Sequence, residues 1–175
     1  VVVVMDPRGT PLRSKDFHDV AYGNLQNGGG VDDQVAALKQ LGQRHTWMDM
    51  DRVGITGYSG GGFAAARAMF SHPEIFKVGI ASAGNHDQRA YVAGWGETFH
   101  GLLEGDNYKE QAGVHLAKDL EGKLLLIHGD QDDNVHVAHT MQLVDELIKH
   151  NKDFDLLILP NRGHVFTDDA YFIRR

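Results

Sequence analysis

The chain has 175 residues, with 17 Lys+Arg against 24 Asp+Glu for a formal charge of −7. That length and an ordinary 42% hydrophobic share fit one compact domain with its own core and exclude a disordered chain. The acidic balance, without any run of Lys or Arg, argues against a nucleic-acid face, and the lack of cysteine excludes disulfides, thiol catalysis and Cys-ligated zinc.

The predicted elements run as follows. Val1–Met5 is a β-branched run expected to form a first strand, and a chain that opens inside such a run reads as a fragment, without the basic flank or cleavage site of a targeting segment. Val31–Gln43 places Val31, Val35, Leu38 and Leu41 at helical spacing, with Asp32 and Asp33 in its first turn. Further strands are expected at Arg52–Tyr58, Lys77–Ala81, Lys123–His128 and Asp155–Leu159. They alternate with helices at Gly60–Phe70 and Val137–His150. The strands are near-continuously apolar, as strands of a parallel sheet covered on both faces are. The alternation predicts right-handed crossovers and a doubly wound α/β sheet, one domain over 1–175. Residues 83–122, rich in glycine and aromatics, are expected to cross the carboxyl edge of the sheet, where ligands bind in open α/β folds. The apolar runs are too short to span a bilayer.

Gly57-Tyr58-Ser59-Gly60-Gly61 is a G-x-S-x-G pattern between an apolar strand and an Ala-rich helix. A serine at such a turn sits in a strained backbone conformation, so its neighbours must be very small. Its hydroxyl stands clear of the sheet, and the amide of Gly60 faces a developing oxyanion, a donor typically worth about 3–4 kcal/mol. The phosphate-binding patterns G-x-x-x-x-G-K-[ST] and G-x-G-x-x-G are missing. In such folds an acid and then a histidine follow the serine. Strand Lys123–His128 leads into a loop carrying Asp130, Asp132 and Asp133, and strand Asp155–Leu159 leads into a loop carrying His164. His164 is the candidate base, oriented by one of the three aspartates, among which spacing does not choose. One of the other aspartates is expected to cap the helix that follows. His136 and His139 lie one helical turn apart without a compelling third ligand, so no metal is expected. Arg8 reads as a buried structural charge.

These residues resemble the prolyl oligopeptidase family of serine peptidases, its dipeptidyl-peptidase-IV-like branch in particular. The resemblance rests on Asp6-Pro7-Arg8-Gly9-Thr10, Asp33-Gln34, the serine elbow, Leu125-Leu126-Ile127-His128-Gly129, Asp132-Asp133-Asn134-Val135-His136 and Gly163-His164. It implies an α/β-hydrolase catalytic domain, here partial and cut at both ends. In that domain Ser59 is the nucleophile, Asp132 the acid, His164 the base and Gly60 an oxyanion donor. It also implies that Asn134 binds the substrate backbone and that Val135, Tyr91 and Trp95 line the pocket for the residue before the scissile bond. Two positions depart from the proline-specific branch: Gly60 stands where it has tyrosine and Gln88 where it has tryptophan. The family's second oxyanion tyrosine and its β-propeller have no counterpart in these residues. The implied activity is hydrolysis of short peptides without a cofactor, in an exported, periplasmic or cell-surface bacterial protein able to form homo-oligomers. The alternatives are an esterase or acyl-peptide hydrolase of the same fold, or an inactive homologue that acts as a binding module.

Overall fold

The computed structural model describes residues 1–27, 30–168 and 170–174. Its frame is a four-stranded, wholly parallel sheet in the order β1 (Val53–Tyr58), β2 (Phe76–Ser82), β3 (Lys123–Gly129), β4 (Asp155–Leu159). The helices are α1 (Lys15–Asp19), α2 (Val31–Arg44), α3 (Gly60–Ser71), α4 (Ala93–His100), α5 (Asn107–Glu110), α6 (Ala138–Lys149) and α7 (Ala170–Arg174). Three short 3-10 turns complete the described set. No helix among the described residues is long and apolar enough to cross a membrane.

Side chains of β3 alternate between two cores, which is why its sequence reads as an unbroken apolar run. Leu124 and Leu126 join a large cluster with Val31 and Val35 of α2, Ala65, Ala66, Ala68, Met69 and Phe70 of α3, and Leu143, Val144 and Leu147 of α6. Leu125 and Ile127 face a smaller cluster with Leu159, Phe166 and Phe172. One face therefore carries three long helices, and the other is covered by the segment that runs into α7.

Four of the five expected strands and all three expected long helices form, with no end displaced by more than one residue. The exception is Val1–Met5. This segment forms no strand, and Val1, Val2 and Val4 are 93%, 88% and 89% exposed. A strand exists only as one side of a ladder. Here the segment is separated from β1 by a hollow of about 710 Å³, with Leu38, Trp47 and Val53 to Thr56 on its walls. Arg8 is also not buried. Its guanidinium lies at the surface and grips Asp33 of α2, with Nη2 at 2.6 Å and Nε at 3.0–3.1 Å from the carboxylate. That fork ties the loop after the valine run to the first turn of α2, and the neighbouring guanidinium holds the Asp33 carboxyl below its ordinary pKa.

Candidate active site

At the end of β1 the chain reverses into α3 through Ser59, whose backbone (φ 58°, ψ −122°) is forced into a region that side chains rarely adopt. Gly57 makes the reversal feasible, because a Cβ there would lie 1.9 Å from the Gly61 carbonyl oxygen. Gly60 is the first residue of α3, and the first amides of a helix have no intrahelical acceptor.

The loops after β3 and β4 converge on that hydroxyl. His164 Nε2 lies 3.0 Å from Ser59 Oγ, and His164 Nδ1 lies 2.7 Å from Asp132 Oδ2. The Tyr58 hydroxyl donates to the His164 carbonyl, and the two rings lie 5.2 Å apart. The second residue of the G-x-S-x-G pattern thus holds the histidine loop against the serine. Burial, followed by the nearby Asp132 carboxylate, raises the Tyr58 pKa, so it stays a donor.

Among the three loop aspartates, the geometry separates the roles. Asp130 Oδ1 accepts from Asn161 N–H at 2.6 Å, which joins the two loops. Asp133 is exposed. Asp132 is buried and uses both oxygens: Oδ2 takes His164, and Oδ1 accepts from the Asn134 and Val135 amides at 3.0 and 2.8 Å. This one side chain both meets the histidine and holds the turn that follows, whereas the helix expected to be capped by another aspartate, α6, starts only at Ala138 and has no side-chain cap. A second imidazole also reaches it, since His128 Nε2 lies 3.2 Å from Oδ2. Sequence reasoning gives His128 no site role; the signals for it are its place four positions before Asp132 at the end of a buried strand and its membership of the Leu125–Gly129 segment.

Around this centre, the Tyr91 hydroxyl donates to Asn134 Oδ1, and Tyr91 packs edge-on to Trp95 with centroids 5.9 Å apart. Asn134 is exposed beside the loop, whereas Val135 is closed off at 1% exposure. Gln88 is buried and bonds Asn85, forming an amide pair within the 83–122 segment. An apolar hollow of about 250 Å³ opens beside Gly60, walled by Trp95, Phe99, Phe63 and Leu25.

A serine, an imidazole and a carboxylate in this order form the arrangement that makes a hydroxyl nucleophilic. The model of the prolyl oligopeptidase family matches residues 1–175. Human dipeptidyl peptidase 8 is 36% identical over 173 residues, covering 94% of this chain and 19% of that protein. The inactive dipeptidyl peptidase 10 of Rattus norvegicus is 32% identical over 141 residues, covering 79% of this chain and 18% of that protein. The structure of Porphyromonas gingivalis dipeptidyl peptidase 4 superposes with a TM-score of 0.88 at 31% identity, over 96% of this chain and 24% of that one. The chain thus spans about a fifth of the length of the curated relatives it matches.

Proposed function

The chain belongs to the prolyl oligopeptidase family, and on that premise we propose that it carries the catalytic centre of a serine peptidase that cleaves short peptides, in the manner of a dipeptidyl peptidase. The supporting observation is the unbroken chain of contacts from Ser59 Oγ through His164 to Asp132, at 3.0 and 2.7 Å. Relatives of this chain include a protein named as inactive, so kinship alone does not assign the chemistry.

In the proposed reaction, Ser59 Oγ attacks the peptide carbonyl while His164 Nε2 takes its proton. Asp132 accepts from His164 Nδ1–H, fixing the tautomer and stabilising the imidazolium. The Gly60 amide donates to the oxyanion. Collapse breaks the C–N bond, and the His164 proton leaves with the amine. Water then attacks the acyl-enzyme, again giving its proton to His164, and releases the acid and Ser59. None of these steps calls on a cofactor.

A fluorophosphonate probe tests this reading: labelling of the protein that disappears in Ser59→Ala supports it, and no labelling of the wild type overturns it. The hollow beside Gly60 favours a second reading, an esterase or acyl-peptide hydrolase with a roomy acyl site. A panel of Xaa-Pro, Xaa-Ala and acyl-ester substrates separates the two by their kcat/KM order.

A further inference from the structure

His128 lies outside the proton path yet has every ring contact satisfied in the interior. Its Nε2 lies 2.7 Å from the Val135 carbonyl oxygen and 3.2 Å from Asp132 Oδ2, and its Nδ1 lies 2.7 Å from Thr140 Oγ1 on α6. A carbonyl and a carboxylate only accept, so Nε2 carries the proton. Burial, the largest influence, depresses the pKa of His128, consistent with a neutral ring. In that ring Nδ1 is an acceptor, and the Thr140 hydroxyl donates to it. The ionisable groups coupled to His128 are Asp132, His164, His139 and His86, of which His139 and His86 are themselves buried with depressed pKa values, and Tyr58 and Tyr91 feel the Asp132 carboxylate.

We propose that His128 is a positioning residue for Asp132: locked by Thr140 as the Nε2–H tautomer, it ties the 130–136 loop to β3 and supplies a second imidazole N–H to the oxygen that orients His164. The inference rests on the peptidase reading of Ser59, Asp132 and His164.

Its physical content is a count of donors. Two backbone amides hold Oδ1, and two imidazoles hold Oδ2, the nearer being His164. Four donors fix the plane of the carboxylate, so its approach to His164 is set before substrate arrives. The longer bond to His128 also withdraws charge from Oδ2. Without it the carboxylate draws the His164 proton more strongly, and the imidazole becomes a more readily protonated base. The Val135 carbonyl would lose its tether to β3 at the same time, freeing the turn that supplies both amides to Oδ1.

The side chains of Gln and Asn discriminate this role from simple packing, because Gln carries its amide nitrogen to the reach of ring Nε2 and Asn only to that of Nδ1. In the full protein, His128→Asn is expected to lower kcat by roughly 10- to 100-fold, the usual loss on removing an orienting partner, with KM little changed. The acid limb of kcat/KM against pH moves upward in that variant. His128→Gln restores most of the rate and returns the limb, although both variants lose thermal stability. Thr140→Val gives a smaller loss of the same sign and serves if His128→Asn does not fold. Equal rates for the Asn and Gln variants, with an unmoved acid limb, would overturn the proposal. A nitrogen-15 spectrum of the histidines reads the contact without turnover: His128 appears as the Nε2–H tautomer, and its Nε2 signal shifts in Asp132→Asn. A Nδ1–H tautomer, or no response, sinks the inference even if Ser59 is labelled. The expected spectrum with unlabelled Ser59 instead sinks the peptidase reading and leaves the positioning contact supported.

Discussion

The two ends of this chain are built on opposite terms. Around the loops after β3 and β4, backbone groups from one loop are answered by the other: Gln131 N–H by the Arg162 carbonyl at 2.9 Å, Asp130 N–H by that of Leu159 at 3.2 Å, and Asn161 N–H by the Asp130 carboxylate. Opposite β1, residues 1–24 are attached more sparsely, through the Arg8–Asp33 fork and single bonds such as Gly23 N–H to Phe99 O at 2.7 Å. The side chains of Val1–Met5 face solvent or the hollow beside β1. Apolar character alone did not turn the valine run into a strand, while the polar loops are tied to each other bond by bond. Position follows from hydrogen-bonding partners, and hydrophobicity selects only what is worth covering.

Substitutions in the two regions put that contrast to the test. The largest effect is expected within the loops themselves. Asp132→Asn should lower kcat by about 10⁴-fold, as in other triads that lose the carboxylate, while exposed Asp133→Asn stays within a few-fold; steady-state kinetics of the pair decides it, and the reverse order would reassign the acid. Leu126→Ala, at a fully buried position of β3, should cost about 2–5 kcal/mol in denaturant unfolding. Gly129→Ala places a Cβ 2.3 Å from the Arg162 carbonyl oxygen and 2.6 Å from that of Gly163. Forcing the loops apart should cost about 1–3 kcal/mol and a disproportionate share of activity; stability loss with full activity would break the link between loop contact and catalysis.

A pH prediction comes from the buried histidines below the loops. His86 is fully buried with neither ring nitrogen bonded, and burial depresses its pKa to about 3. The folded state then binds fewer protons than the unfolded chain between that value and the ordinary one near 6.5. Stability is complete above about 6.5 and declines as pH falls toward 3. Melting temperatures of His86→Leu across that window should fall less steeply with acid than the wild type's. The smallest effect belongs to the other end: Val2→Ser should change unfolding free energy by no more than about 0.5 kcal/mol, and a larger loss would mean that the segment is packed in solution.

Much of this molecule could be read in the order of its residues. Parallel strands advertise themselves as apolar runs between amphipathic helices, and the small residues around Ser59 announce a reversal that little else tolerates. The placing of His164 after the final strand followed from the same logic. The choice among Asp130, Asp132 and Asp133 did not, since three acids on one loop look alike until Asn161, His164 and the following amides select them. The task of His128 and the hold of Tyr58 on the His164 carbonyl depend on neighbours many residues away. Val1–Met5 misled because its sequence satisfies every strand preference except the presence of an adjoining ladder.

The tight seam at Gly129 has a mechanical consequence. Because the backbones bearing Asp132 and His164 are pressed together there, acid and base ride on a single rigid carriage, to which Ser59, at the head of α3, is joined through the bond from the neighbouring Tyr58 hydroxyl to the His164 carbonyl. Thermal agitation or strain should open the gap between hydroxyl and imidazole well before it parts imidazole from carboxylate. The hinge of this centre therefore lies at the serine, and modest distortion would leave an intact but disengaged pair waiting to close again.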